Sequence, residues 1–222
     1  MKKFFFLLIA MMLVSHLPAK DYQAKDFSSL LGMPGFEDDL LKMHFQLYQG
    51  YVKNCNLLLA ELQKMGDEGK SSSYTYGALK RRVGWEFDGI RLHELYFGNL
   101  GGKGAPNQNS NIYKAILTQF RDFASWKKDF LAVAAMRGVG WAVLYQDPIE
   151  GRLLNTWINE HDTGHLAGGT LLLVMDVWEH AFMPQFGLDR AAYADVFFKN
   201  IDWDLVEERW KDARNRKVFA SE

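Results

Sequence analysis

Apolar residues recur at three- and four-residue steps from residue 36 to residue 62: Leu40, Leu41, Leu47, Tyr48, Tyr51, Val52, Cys55, Leu58, Leu59 and Leu62, with His44 inside the stripe. This is the period of a helix with one buried face. Residues 66–73, Gly-Asp-Glu-Gly-Lys-Ser-Ser-Ser, form a polar turn. The helical period returns over residues 74–100, with Val83, Phe87, Ile90, His93 and Phe97 on one face. Two long amphipathic helices joined by a short turn predict an antiparallel hairpin whose apolar faces meet. A lone histidine in such a stripe is ordinarily a satisfied core residue. Here each of two facing helices carries one.

The chain then changes character. Residues 101–111 hold three glycines, a proline and a polar run, the composition of a linker. Residues 111–136 contain helical pattern around 120–123 and over 126–135. Residues 141–145, 152–158 and 171–174 read as strands, with Asp147-Pro148-Ile149-Glu150-Gly151 as a hairpin turn between the first two. The tail, residues 191–216, is helical again. The expected fold class is α+β. An N-terminal antiparallel helical hairpin over residues 20–100 precedes a mixed domain over residues 112–222, in which helices surround a small three-stranded antiparallel sheet.

Residues 1–19 stand apart. Met1-Lys2-Lys3 is a basic start, residues 4–14 are unbroken apolar, and Ser15-His16-Leu17-Pro18-Ala19 ends the run with small and breaking residues. That is the layout of a secretory signal peptide with cleavage after Ala19, so the product is expected to be exported, periplasmic or secreted. The apolar run is too short for a comfortable span, so no stable membrane insertion is expected. The single cysteine, Cys55, excludes an intrachain disulfide, and stability must rest on core packing. A net charge of −1 gives no sign of a nucleic-acid partner.

The chemistry concentrates in Asp176-Val177-Trp178-Glu179-His180, which follows the apolar run 170–175. A carboxylate and an imidazole four residues apart are a donor pair for iron, manganese or zinc. Alone the pattern is weak, because a capping Asp and an ordinary helical His read the same way. The mature chain keeps five histidines, at positions 44, 93, 161, 165 and 180.

Asp176-Val177-Trp178-Glu179-His180-Ala181 closely resembles the signature of the iron/manganese superoxide dismutase family. Leu92-His93-Glu94-Leu95-Tyr96-Phe97 looks like that family's second-helix ligand segment, and Arg137-Gly138-Val139-Gly140-Trp141 like its entry to the first strand. Residues 186–193, with Arg190, and Ile201-Asp202-Trp203 are similar to segments nearer its end. The resemblance runs from about residue 36 to residue 210. It implies one iron or manganese ion per subunit, iron favoured, held by His44, His93, Asp176 and His180. Superoxide would be the substrate, and dioxygen and hydrogen peroxide the products.

Three departures qualify what is carried over. The family's channel Tyr follows the first ligand His by eight residues, and here Tyr51 follows His44 by seven. Seven residues is two helical turns, so Tyr51 keeps the same face. A His that links to a Tyr of the partner subunit is replaced at both ends, by Tyr48 and Met183. Those two are expected to meet as an apolar contact at a two-fold interface. Glu179 remains, and the resemblance implies that it reaches the ligand His180 of a second copy in a homodimer. A Gln that bonds solvent at the metal is replaced by Gly89, and His161 is expected to take its place, with His165 as the other candidate. Tyr51 and His161 would then handle protons. Trp141 and Trp178 would wall the site, Tyr96 would line the channel, and Arg190 would supply positive potential or a structural ion pair. Two other readings remain open at this level: a metal-binding relative without dismutase activity, and a helical binding protein without metal.

Overall fold

The computed structural model describes residues 20–215, so the expected signal peptide lies outside the described residues. Helix α1 is Asp38–Asp67 and helix α2 is Tyr74–Gly98. Asp38 and Asp39 in the first turn of α1 complement its dipole. Ser73 caps α2 by accepting from the Tyr76 amide at 3.2 Å. Along α1, Leu40, Leu41, His44, Tyr48, Val52, Cys55, Leu58 and Leu62 are buried, as the period requires. Leu47 and Tyr51 are half-buried, and Leu59 lies exposed on the outer face. Helix α2 packs on α1 along one side and on the sheet along the other.

After the polar connection come α3, Asn111–Phe120, and α4, Phe123–Ala134. The expectation of a helix centred on 120–123 is corrected here. Arg121 adopts a φ of 74°, and Asp122 caps α4 through the Ser125 amide at 2.6 Å. That stretch is the break between two helices.

Strands β1 (Gly140–Gln146), β2 (Leu153–Asn159) and β3 (Thr170–Asp176) form an antiparallel sheet of order β2-β1-β3. The central β1 is buried at every position, so it reads as a continuous apolar run rather than an alternating one. Trp141 pairs with Ile158 on one side and Asp176 on the other, which brings the end of β3 beside the start of β1. Helix α5 is Glu179–Phe186, α6 is Arg190–Lys199 and α7 is Trp203–Asn215. The tail is therefore two helices and not one. Asp202 separates them, its Oδ1 accepting from the amides of Asp204 and Leu205.

One core joins hairpin and sheet, running from Tyr48 and Phe97 through Trp141 and Leu173 to Tyr193 and Phe197. Arg209 of α7 locks the parts together. Its guanidinium donates to the Leu172 carbonyl at 3.0 Å, the Leu95 carbonyl at 3.2 Å and the Asn99 side chain. Burial lowers its pKa to about 10, so it remains charged at neutral pH. Replacing Arg209 with Met leaves these acceptors buried and unpaired, at a cost of about 1–3 kcal/mol for each such group. Arg209→Met is expected to lower the urea midpoint accordingly. A midpoint equal to that of the parent would show that this clamp contributes nothing.

Candidate metal centre

Four elements each deliver one side chain to a point in the core: His44 from α1, His93 from α2, Asp176 from the end of β3 and His180 from the first turn of α5. One ligand atom from each lies within 4.8 Å of every other. The three Nε2 atoms approach a single carboxylate oxygen, Asp176 Oδ2, at 3.1 Å from His44, 3.3 Å from His180 and 3.7 Å from His93. The four-residue spacing of Asp176 and His180 is not a helix pair. It spans a strand end, a two-residue connection and a helix start. Asp176 is aimed by its own turn, Oδ1 accepting from the Trp178 amide at 2.9 Å. Its carbonyl accepts from the Tyr193 hydroxyl at 2.7 Å, and Tyr193 in turn takes the Tyr96 hydroxyl.

The donor set fits a cation. His93 Nδ1 lies against the Gly89 carbonyl, which only accepts, so Nδ1 carries the hydrogen and Nε2 a bare lone pair. That Nε2 is buried and has no hydrogen-bond partner among the described residues. Burial holds the His93 ring well below the usual imidazole range, and burial lowers His44 as well. Burial opposes the charge on Asp176, but His180 and His44 outweigh it and keep the carboxyl below its usual range. A carboxylate and an unprotonated imidazole nitrogen that face each other in a dry core repel unless a cation lies between them. Imidazole and carboxylate donors suit iron, manganese or zinc.

Beside the cluster, Tyr51 and His161 form a pair at 2.7 Å between hydroxyl and Nε2. The Trp141 indole, which can only donate, meets His161 Nδ1 at 3.2 Å. His161 Nδ1 is therefore the acceptor, Nε2 carries the hydrogen, and Nε2–H donates to the Tyr51 oxygen. The Tyr51 hydroxyl hydrogen is left free to point elsewhere. Burial lowers His161 to about 4 and raises Tyr51 to about 12, so both stay neutral across the physiological range. Trp178 stacks on His161 with centroids 4.6 Å apart. Trp85 meets the same ring edge-on at 5.0 Å. The sequence reading missed Trp85, whose signal was its place four residues before Gly89 on the same helix face. Gly89 itself leaves room for Tyr51, since a Cβ there would stand 2.6 Å from the ring.

Other expected roles change. His165 does not meet Tyr51; its Nδ1 faces the Tyr145 hydroxyl at 3.1 Å. Tyr96 is fully buried and stacked on Phe197, so it walls the core rather than an open channel. Tyr48 is 1% exposed within its own chain and cannot pack against a second copy. Its hydroxyl donates to Glu94 at 3.0 Å and accepts from the Lys25 amide at 2.9 Å. Arg190 donates to the Met136 carbonyl at 2.7 Å, a hydrogen bond rather than the expected ion pair.

A helical hairpin and a three-stranded sheet that together enclose a buried three-histidine, one-aspartate cluster define a mononuclear metalloprotein. The family description "Iron/manganese superoxide dismutases, C-terminal domain" matches residues 108–209. The chain is 32% identical over 189 residues to an iron superoxide dismutase of Pyrobaculum aerophilum, covering 83% of this chain and 89% of that one. It is 35% identical to an iron superoxide dismutase of Aquifex pyrophilus, covering 86% and 92%. To a manganese superoxide dismutase of Haloferax volcanii it is 33% identical, covering 81% and 89%. The chain belongs to the iron/manganese superoxide dismutase family.

The depressed pKa of His161 has a measurable consequence. Between its folded value of about 4 and the ordinary value near 6.5, the unfolded chain binds a proton that the folded chain refuses. Stability should therefore fall as pH drops through that window, by at most about 1.4 kcal/mol per unit from this one group. His161→Gln is expected to flatten the slope of urea stability between pH 6.5 and 4.5. An identical slope in both proteins would mean that the ring is not held neutral.

Proposed function

We propose that this protein is an exported superoxide dismutase, with one iron or manganese ion per subunit held by His44, His93, Asp176 and His180. The observation that carries the reading is the convergence of three imidazole nitrogens on one buried carboxylate oxygen, next to a Tyr–His pair. Two superoxide ions and two protons give dioxygen and hydrogen peroxide. When bound, the ion supplies electron transfer in both directions. The chain's own residues handle the protons. Tyr51 is the donor, because its hydroxyl hydrogen is not used in bonding His161. His161 Nε2–H supports the Tyr51 oxygen as that proton leaves. Trp178, Trp85 and Trp141 exclude water from around the pair. We favour iron over manganese, as in the iron superoxide dismutases of Pyrobaculum aerophilum and Aquifex pyrophilus that the chain resembles.

Superoxide consumption by iron-loaded and manganese-loaded samples tests the activity and the metal together. Asp176→Ala is expected to lose metal and activity at once, because the remaining rings have no anionic partner. A full metal complement in that variant would sink the ligand assignment. His161→Gln should keep the metal and alter the pH profile of turnover.

We infer a two-fold homodimer through Glu179 and His180. Glu179 is exposed at the start of α5, and His180 Nδ1 has no hydrogen-bond partner among the described residues. A cavity of about 670 Å³ beside them is lined by Glu179, Phe182, Met183 and Leu188. Glu179→Ala should weaken both assembly and metal retention, read by sedimentation and metal analysis. A monomer with a full metal load would refute it. Export rests on residues 1–19, and mass spectrometry of the mature protein should find Lys20 as its first residue. No helix among the described residues is long and apolar enough to cross a membrane.

A further inference from the structure

The turn between β2 and β3 carries a second histidine that the function above does not use. His165 Nε2 lies 2.8 Å from the carbonyl oxygen of His161. A carbonyl only accepts, so Nε2 carries the hydrogen and Nδ1 is left as an acceptor. The Tyr145 hydroxyl, 3.1 Å from Nδ1, is the matching donor. Asp88 of α2 places Oδ2 3.5 Å from the same Nε2, on the side that favours this N–H. Tyr145 is itself rigid. It belongs to the central strand, is 2% exposed, and fits against Gly169, where a Cβ would stand 2.9 Å from its ring.

The peptide that His165 grips needs outside support. Glu160, directly before His161, has a φ of 51°, a left-handed conformation unusual for a residue with a side chain. It is held by bonds from elsewhere: its amide donates to the Val139 carbonyl at 3.0 Å, and its carbonyl accepts from the Trp178 indole at 3.3 Å. The His161 carbonyl is the next acceptor along the turn, and His165 takes it. We propose that His165 is a positioning residue for His161. It carries the rigidity of β1, through Tyr145, to the peptide that sets how far His161 Nε2 stands from the Tyr51 hydroxyl. The proposal rests on the reading of Tyr51 and His161 as the proton-handling pair. His165 touches neither the proposed ligands nor Tyr51.

The test compares His165→Leu, which removes the donor, with His165→Gln, whose amide keeps one. The side chain is only partly covered, at 31% exposure, and a cavity of about 340 Å³ adjoins it, so both variants should fold. Iron-loaded His165→Leu is expected to keep its metal, lose about tenfold in turnover and shift its pH profile, since misplacing a catalytic group by about 1 Å can cost up to about 100-fold. His165→Gln should recover to within about threefold of the parent. A second readout needs no activity. In zinc-loaded protein, which is diamagnetic, the His161 Nε2–H proton resonance should be sharp in the parent and in His165→Gln, and exchange-broadened in His165→Leu.

An unchanged pH profile together with an unchanged His161 resonance in His165→Leu overturns the proposal. Equal losses in the Leu and Gln variants also overturn it, because the donor would then not matter. If His165→Leu fails to fold, Tyr145→Phe removes the same support one bond further back, with the same expected broadening. Failure of the underlying reading looks different: His161→Gln would leave the pH profile of turnover unaltered, while His165→Leu would still broaden the His161 resonance.

Discussion

Everything in this fold is arranged around one carboxylate oxygen. Asp176 Oδ2 is an anionic atom in a site with no measurable exposure, which is costly for any charge that lacks a partner. Three imidazole nitrogens surround it at 3.1 to 3.7 Å. They arrive from α1, α2 and α5, while the carboxylate arrives from β3. No two of these elements could form the cluster alone. The hairpin brings two rings but no anion, and the strand-to-helix connection brings the anion and one ring. The shared core exists to keep the two halves in register, and Arg209 fastens them at the far end of β3 through the Leu172 carbonyl.

The second layer works by fixing tautomers. An imidazole can offer its lone pair from either nitrogen, and a wrong choice turns an acceptor into a donor. The Gly89 carbonyl fixes His93, and the Trp141 indole fixes His161 in the opposite sense. Neither partner can change roles, since a carbonyl never donates and an indole nitrogen does not accept. The consequence for His93 is a lone pair aimed at the cluster. For His161 it is a hydrogen aimed at Tyr51. Two histidines in one small volume thus acquire different chemistry from neighbours that are not themselves titratable.

The hairpin was legible because its apolar period is long and both ends are marked, by acidic residues before Leu40 and by the polar turn at 66–73. The strands were legible for the opposite reason: short apolar runs between glycine-rich turns. What escaped was the punctuation carried by residues with ordinary propensities. Arg121 at a positive φ and Asp202 as a cap divide what composition alone presents as continuous helix. The four cluster residues were legible through the family's motif. Spacing alone left Asp176 and His180 as a weak donor pair, because a capping Asp and an ordinary helical His read the same way. Tyr48 was misplaced because its hydrogen-bond partners, Glu94 and Lys25, lie 46 and 23 residues away, beyond any local pattern. Sequence preferred His161 to His165 through the resemblance, but gave no contact for either ring. The Trp141 and Tyr145 side chains, four residues apart in β1, bond one ring each, Trp141 meeting His161 and Tyr145 meeting His165.

Gly89 and His161 both set where Tyr51 lies. A large side chain at position 89 would occupy the space where the Tyr51 ring now lies, since even a Cβ would stand 2.6 Å from it. With glycine there, Tyr51 settles against α2 and its hydroxyl turns toward the β2–β3 turn. His161 meets it from that turn, and the aromatic cover from Trp85 and Trp178 closes over the imidazole. The place of His161 on a turn rather than on a helix then sets a structural demand. A helix holds its side chains through its own backbone ladder, whereas residue 161 follows a left-handed Glu160 and depends on the Val139 carbonyl, the Trp178 indole N–H and the His165 ring N–H. A ring presented from such a turn is therefore held in place by the supporting bonds that this chain builds around positions 160 and 161.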